Sequence, residues 1–252
     1  MKPRVTILNG SFDPLTEAET VAAVFQTLQS GKRGWLCTVN VATLMTMRKD
    51  RLLQSFADRA SFVVADGQPL VWCAPLFRGR LPERIAGIDL MESLCSRAAA
   101  EKKGVYLLGA TPGLLKKTVE ALRQRHPGLR IAGSDGYFPA EAAGQRAAHI
   151  RNSGASLLFV GMGSPRQEAF IAEHWDKLGV GMAIGVGGSF DVLGGARFRA
   201  HPAIRQAGLE WLVRLAQEPG RLLPRYLATN SLFCLLIGDA IAGRLKRWIT
   251  AN

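Results

Sequence analysis

Four short apolar runs, separated by amphipathic stretches of near-constant length, decide the fold class. They are VYLLGA (105–110), RIAGSDG (130–136), LLFVGMG (157–163) and GMAIGVGG (181–188). Strands that are apolar on both faces and alternate with helices form a parallel sheet that helices cover on each side. The sequence therefore predicts an α/β fold, a Rossmann-like parallel-sheet core with helices on both faces.

The same core extends upstream and ends near residue 195. GWLCTVNVATL (34–44) and SFVVADG (61–67) predict two further buried strands, each followed by a helix, and VTILNG (5–10) is interpreted as another strand of this core. The Gly-rich, Pro-bearing stretch VLGGARFRAHP (192–202) is the first plausible boundary, and the pattern beyond it is helical. We predict two parts, an α/β core over 1–195 and a basic amphipathic helical appendage over 196–252.

The composition is that of a folded, enzyme-sized protein. Of its 252 residues, 48% are hydrophobic and 21% are charged, which argues against both disorder and multiple membrane spans. The four cysteines form no CxxC pair, so neither a zinc cluster nor a disulfide framework is predicted. The apolar run at the N-terminus is too short for a signal peptide. These features predict a cytoplasmic protein.

The net charge of +12 is concentrated near the C-terminus, where residues 196–252 hold nine Lys or Arg against three Asp or Glu. Such a segment suits nucleic acid or an anionic membrane surface, and a solvated basic face is the alternative. The apolar run 231–238 is shorter than the roughly 20 residues of a membrane span. With Trp248 and its basic neighbours, it predicts a helix that lies in the membrane interface; an amphipathic helix packed on the core is the alternative.

Ligands of such sheets bind beyond the carboxyl ends of the strands, where this sequence places polar and glycine residues. GMGSPRQE (161–168) predicts a helix with Ser164 as N-cap, Pro165 as first residue and Gln167 as third. Its free N–H groups suit a phosphate, although a capped helix without ligand is common. Arg166 stands where a dinucleotide fingerprint needs a small residue, which argues against a dehydrogenase.

Two aspartates close predicted strands as Asp-Gly pairs, Asp66 and Asp135. A carboxylate at that place can act as a general base, whereas an aspartate that caps its own turn is the alternative. The residue pattern alone does not choose between the two.

No DxD, HExxH or Cys/His cluster is present, so no metal site is predicted and cationic side chains would have to neutralise a bound phosphate. Arg214, Arg221 and Arg225 follow at intervals of seven and four, close to one helical face. Pro219 and Pro224 interrupt that face. A basic solvated or lipid-facing surface is the alternative.

Eight stretches, spread in consistent order from Val5 to Tyr226, together resemble the WecG/TagA/CpsF family of bacterial glycosyltransferases. They are TVN (38–40), ADG (65–67), RIAGIDL (84–90), LLGA (107–110), DGYF (135–138), GMGSPRQE (161–168), GVGGSFDVLGG (185–195) and GLEWLVRL (208–215), the last followed by EP and Arg221.

The resemblance implies an inverting, metal-independent transfer from a UDP-sugar to a sugar that a diphosphate joins to a polyprenyl lipid. It implies a peripheral protein on the cytoplasmic face of the inner membrane, with an anionic membrane surface as partner. No cofactor is expected, since the UDP-sugar is a substrate, and no nucleic acid; a homo-oligomer is possible.

The resemblance also assigns roles to individual residues. The ADG aspartate is the proposed base, which favours Asp66 over Asp135, and the appendage arginines Arg214 and Arg221 are the other catalytic candidates. The substrate-binding candidates are Thr38, Asn40, Arg84, Gln167 and Arg225. The nucleotide-binding candidates are Gly109, Tyr137, Gly161, Gly163, Ser164, Gly187 and Asp191. Tyr137 as a packing aromatic and Asp191 as a loop cap are the alternatives for those two.

The donor sugar differs among members of this family. Many place an acidic residue two positions after the asparagine, where this chain has Ala42, and ADGQPLVW (65–72) and LPERIAG (81–87) are more similar to exopolysaccharide-assembly members. We therefore favour UDP-glucose, with UDP-N-acetylmannosamine or its uronic acid as the alternative. A basic nucleic-acid-binding module is the alternative from another class, and the aromatic content of 8% is low for it.

Overall fold

The computed structural model describes the backbone of residues 2–251 and the side chains of residues 2–243. The strands are β1 (Val5–Ile7), β2 (Gly10–Phe12), β3 (Gly34–Val39), β4 (Phe62–Ala65), β5 (Gly104–Gly109), β6 (Arg130–Ser134), β7 (Leu157–Gly161) and β8 (Met182–Gly185). The helices are α1 (Glu17–Gln29), α2 (Val41–Met47), α3 (Arg51–Asp58), α4 (Gln68–Cys73), α5 (Gly87–Ala100), α6 (Pro112–Arg125), α7 (Ala143–Asn152), α8 (Arg166–Leu178), α9 (Ser189–Leu193), α10 (Pro202–Gln206), α11 (Glu210–Gln217) and α12 (Pro219–Ala251).

Six strands form one parallel sheet in the order β4-β3-β8-β7-β5-β6. Successive residues of β5 point to opposite faces, so Val105 and Leu107 join one apolar cluster while Tyr106 and Leu108 join the other. Helices cover both clusters, which explains why these strands are apolar without alternation. The predicted α/β class, a parallel sheet between two layers of helices, is confirmed.

The strand order sets which polar residues share the carboxyl edge of the sheet. The strand β4 is one edge and β6 is the other, with β3, β8, β7 and β5 between them. Asp66 follows β4 and Asp135 follows β6, so the two aspartates stand at opposite ends of the row of strand ends. The residues that follow β3 and β8 lie on the Asp66 side, and those that follow β7 and β5 lie on the Asp135 side.

The N-terminal strand does not extend the parallel sheet, and this part of the prediction was wrong. The strands β1 and β2 pair antiparallel in a separate hairpin, with Ile7 opposite Gly10. Leu8 takes a positive φ of 53°, so a two-residue turn folds the chain back at once. Asp13 holds the hairpin on the core by accepting the Val63 N–H at 2.7 Å.

The residues after Gly195 form α10, α11 and α12, and the expected interruption at Pro224 does not occur. Pro219 begins α12, and Pro224 lies inside this helix of 33 residues. A proline removes one N–H donor, and the many remaining hydrogen bonds of so long a helix keep it continuous. The helix packs on α2, and its Phe233 is buried in the apolar cluster on that face of the sheet.

The continuity of α12 also changes what its length allows. The part Pro219–Gly243, 25 residues, is long and apolar enough to cross a membrane by length and composition, and only 6% of its apolar window is buried. This length contradicts the expectation that the apolar run is too short, which rested on 231–238 alone. Trp248 lies outside the residues whose side chains the structure describes.

Candidate active site

Asp66 projects from the carboxyl end of β4 toward the start of α5. Its backbone N–H donates to Val39 O at 2.9 Å, which fixes the turn after β4 against β3. The Gly87 N–H, at the first residue of α5, faces the Asp66 carboxylate and favours its charged form. A side chain at Gly87 would begin 3.6 Å from Thr38 Oγ1 and 3.9 Å from Asp66 Oδ2, so strand β3, strand β4 and helix α5 meet at this carboxylate.

The electrostatic surroundings of Asp66 suit a proton acceptor. Burial raises the pKa of Asp66 to about 6, and the positive charges of Arg214 and Arg84 oppose that rise. The negative charge of Glu210 acts in the same direction as burial. A carboxyl group with this pKa is mostly ionised at neutral pH and is a stronger base than an ordinary aspartate.

Asp135 has a different environment, although it is the same Asp-Gly dipeptide. Its Oδ1 accepts the Tyr137 N–H at 3.0 Å, and its Oδ2 lies 3.3 Å from Arg146 Nη2. Asp135 therefore caps its own turn and already has a cationic partner. The geometry separates the two aspartates that the residue pattern could not separate.

The arginines do not share one helical face. Arg214 belongs to α11, whereas Arg221 and Arg225 belong to α12, because the chain breaks between the two helices at Glu218. Arg214 Nη2 lies 3.7 Å from Glu210 Oε1, and Arg84 Nη2 lies 3.0 Å from Glu210 Oε2. The positive charges of Arg214 and Arg84 both favour the ionised form of Asp66.

The other two arginines serve neighbouring acidic groups. Arg221 pairs with Glu218, and its charge acts on Asp191. The charge of Arg225 acts on Glu168, and both arginines also act on Tyr226. Arg214 and Arg84 are thus the arginines with the largest influence on Asp66.

Thr38 and Asn40 lie next to Asp66 at the end of β3. Thr38 Oγ1 donates to Gly185 O at 3.2 Å, which joins the ends of β3 and β8. Asn40 is the N-cap of α2, where its Oδ1 accepts the Thr43 N–H at 2.9 Å. Since capping uses the amide oxygen, its Nδ2 is the group that can donate to a ligand.

Gln167 is buried and supports the loop after β8. Its Oε1 accepts the Gly187 N–H at 3.1 Å, and its Nε2 donates to Glu168 at 2.8 Å. The Gly187 N–H therefore already has a partner. Gln167 therefore contributes to the candidate site by holding the loop after β8 in place.

The predicted cap of α8 was wrong. The helix begins at Arg166 and its N-cap is Pro165, so Gln167 is the second helical residue. The Ser164 hydroxyl instead favours the charged form of the Glu168 carboxyl, whose pKa is raised by burial. The Ser164 side chain makes no capping hydrogen bond to this helix.

The ends of β5 and β7 are close enough to require glycine. A Cβ at Gly109 would lie 2.5 Å from Gly161 O, and Gly109 has φ of +152°. Gly163 has φ of +79°, and a Cβ there would meet no atom within 4 Å, so this loop faces open space. The backbone at Gly163 is thus accessible to a ligand.

The two nucleoside candidates lie on opposite sides of this loop. Tyr137 is exposed beyond the end of β6. Asp191 belongs to α9, and its Oδ2 lies 3.3 Å from Arg197 Nη1. Burial raises the pKa of Asp191, and Arg197 opposes the rise. The backbone oxygen of Asp191 also accepts the N–H groups of Ala196 and Arg197, so this residue organises its own loop as well.

Two residues near Asp66 were missed from the sequence, Glu210 and Tyr226. Glu210 is buried between Arg84 and Arg214, and the charges of Asp66 and Arg214 both act on Tyr226. Glu210 lies in the GLEWLVRL stretch four residues before Arg214, a spacing that indicates an ion pair on one helix. No local sequence pattern predicts that Glu210 pairs with Arg84.

Among the described residues, no group of three or more His, Cys, Asp or Glu could hold a metal ion.

One comparison with known proteins identifies the chain. The glycosyl transferase family WecG/TagA/CpsF matches residues 5–247, which is nearly the whole chain and includes both the sheet and the C-terminal helices. The matched region contains Asp66, Arg84 and Glu210. The chain therefore belongs to the WecG/TagA/CpsF family and is a glycosyltransferase of surface polysaccharide synthesis.

Proposed function

We propose that the protein moves a sugar from a UDP-sugar onto a sugar that a diphosphate joins to a polyprenyl lipid, with inversion at the anomeric carbon and without a metal ion. The observation that carries the proposal is the Asp66 carboxylate, which lies at the carboxyl edge of the sheet with a pKa of about 6 and two arginines beside it. A single displacement needs a base for the acceptor hydroxyl and positive charge for the departing diphosphate.

Asp66 acts as the general base in this reaction. It takes the proton of the acceptor hydroxyl while that oxygen forms a bond to the anomeric carbon of the donor. The bond from the anomeric carbon to the β-phosphate oxygen breaks, and its electron pair leaves with UDP. Since attack and departure occur on opposite faces, the configuration of the anomeric carbon is inverted.

Arginine side chains and loop backbone stabilise the departing UDP. Arg214 and Arg84 are the cations next to Asp66, and Arg221 lies nearer the central strands. The open loop at Gly163, before α8, offers backbone to the diphosphate. Preorganised positive charge of this kind replaces the metal ion that other diphosphate sites use.

The donor is UDP-glucose in this proposal, and UDP-N-acetylmannosamine or its uronic acid is the alternative. The supporting observation is Ala42, which is buried in the first turn of α2 two residues after Asn40. The chain thus has an apolar residue, without charge, in the helix turn that Asn40 caps.

A donor panel tests the proposed reaction. Purified protein is incubated with UDP-glucose, UDP-N-acetylmannosamine or its uronic acid and a synthetic sugar-diphosphate-lipid acceptor, with and without EDTA. We expect product from one UDP-sugar, with inverted configuration by NMR and a rate that EDTA leaves unchanged. A rate that EDTA abolishes and magnesium or manganese restores would contradict the metal-independent mechanism.

We further propose that the C-terminal helices bring this site to the cytoplasmic face of the membrane. Large apolar side chains are exposed along α11 and α12, including Leu227 at 61% and Leu235 at 72%. Trp72 on α4 is 62% exposed, and a Cβ at Gly208 would lie 3.4 Å from its ring. Because α4 follows Asp66 by two residues, a membrane on this side would present a lipid-linked acceptor next to the base.

Charged substitutions on α12 should release the protein from vesicles. We expect Leu227→Asp/Leu235→Asp to lower binding to vesicles that contain anionic lipid by at least about 10-fold, since burying each leucine contributes roughly 1.5–3 kcal/mol. Leu52→Asp, at an 81% exposed position on α3, is the matched control and should bind as wild type does. Equal loss in both variants in a flotation assay would count against a membrane role of α12.

A further inference from the structure

Glu210 is a buried carboxylate that has two cationic partners. Its Oε2 accepts a hydrogen bond from Arg84 Nη2 at 3.0 Å, and its Oε1 lies 3.7 Å from Arg214 Nη2. The Glu210 side chain is 7% exposed, and acidic side chains are buried to that extent only when they are paired. Both guanidinium groups are therefore directed toward Glu210.

Asp66, by contrast, has no ion pair among the residues that the structure describes. The charged and titratable groups that face it are Arg84 from the loop before α5, Glu210 and Arg214 from α11, and Tyr226 from α12. Two carboxylates thus share two arginines unevenly, because Glu210 has both arginines within ion-pair distance.

The uneven sharing has a chemical consequence. An arginine in direct contact with a carboxylate lowers its pKa by about 1–3 units and occupies its lone pairs. A base with so low a pKa accepts a proton poorly at neutral pH. Asp66 would lose basicity if Arg84 or Arg214 moved onto it, and both are near enough to act on it already.

We propose that Glu210 is a positioning residue that holds the guanidinium groups of Arg84 and Arg214 away from Asp66 and so leaves the Asp66 carboxylate free to accept a proton. The proposal rests on the proposed function in treating Asp66 as the base. It adds that the base stays unpaired because a second carboxylate competes for its arginines. The same contact keeps both arginines at the edge of the site, where they can meet the substrate.

The test is the pKa of Asp66 in Glu210→Gln, measured without substrate by ¹³C NMR of protein labelled at the aspartate carboxyl groups. The resonance is assigned by its loss in Asp66→Asn. We expect the pKa to fall from about 6 by about one unit or more. Loss of the Glu210 charge lowers it, and pairing with a released arginine lowers it further. We also expect kcat at pH 7.5 to fall about 10-fold with KM little changed.

A second substitution separates this role from simple docking of α11. Arg84→Met alone should raise the Asp66 pKa, because it removes a positive charge that already acts on Asp66. In the Glu210→Gln background the same substitution should raise it by more, because the released guanidinium contacts Asp66 directly. Equal rises in the two backgrounds would mean that Arg84 has not moved onto Asp66, and that result would overturn the proposal. An unchanged pKa in Glu210→Gln would overturn it as well.

Two further variants complete the comparison. Asp13→Asn removes another buried carboxylate, paired with Arg4 at 3.0 Å, and should leave both the Asp66 pKa and kcat unchanged. Glu210→Asp keeps the charge and should lower the Asp66 pKa by less than Glu210→Gln does. It replaces Glu210→Gln in the titration if Glu210→Gln does not fold. Because the NMR titration needs no turnover, failure to transfer any UDP-sugar would refute the proposed function without deciding the role of Glu210.

Discussion

Asp66→Asn is expected to lower the rate of sugar transfer by about 10²–10⁴-fold and to leave UDP affinity unchanged. The amide keeps the shape of the side chain but cannot accept the proton of the acceptor hydroxyl. Transfer by single displacement has no second base to replace it, since Glu210 is occupied by Arg84 and Arg214. Initial rates at saturating donor, with calorimetry of UDP binding, measure the two effects separately.

The pH dependence of the wild-type enzyme adds an independent check on Asp66. The base is active when ionised, so kcat/KM should rise with pH and level off above about 6. Folding raises the pKa of Asp66, so the ionised form destabilises the folded state above that pH. Asp66→Asn should therefore unfold at no lower temperature than wild type at pH 7.5. Measuring that temperature distinguishes loss of the base from loss of the fold.

Asp135→Asn is the matched control for this prediction. It carries the same substitution in the same dipeptide, at the opposite edge of the sheet and with its own partners in Tyr137 and Arg146. It should retain transfer within a few-fold of wild type. Near-wild-type turnover in Asp66→Asn would remove Asp66 from the mechanism.

The parallel sheet could be predicted because each strand carries its own signal. Runs such as LLFV (157–160) are buried on both faces, so the local apolar pattern and the final environment agree. The N-terminal hairpin could not be told from a core strand because VTI (5–7) is equally apolar. Its two turn residues are Leu8 and Asn9, since Gly10 already pairs with Ile7, and leucine at the first turn position is not a hairpin signal.

The site was only partly predictable because its residues come from distant parts of the chain. Asp66 and Asp135 are equivalent in local sequence, and only their surroundings in the folded chain separate them. Arg84 and Glu210 are 126 residues apart, so no spacing rule connects them. Ser164 shows the opposite failure, since a good local cap signal is present but the helix begins at Arg166 and takes no cap from the Ser164 side chain.

Arg214→Ala is expected to lower kcat by about 10²–10³-fold, the usual cost of removing one preorganised group that stabilises transition-state charge. It should also move the acid limb of kcat/KM to higher pH. The positive charge of Arg214 is the largest influence that opposes the raised pKa of Asp66, so its removal lets the pKa rise above about 6. Rates between pH 5 and 9 measure both effects in one series.

Arg221→Ala provides the comparison within the same segment, because this arginine is paired with Glu218 and acts on Asp191, and it is not among the largest influences on Asp66. If Arg221 stabilises the departing UDP, its loss should slow transfer while the acid limb stays where wild type has it. Arg214→Lys keeps the charge but not the forked geometry, so it should restore the acid limb and only part of the rate. If the acid limb of the kcat/KM profile does not move in Arg214→Ala, this arginine does not act on the base. If the acid limb moves in Arg221→Ala, α12 lies differently over Asp66 during turnover.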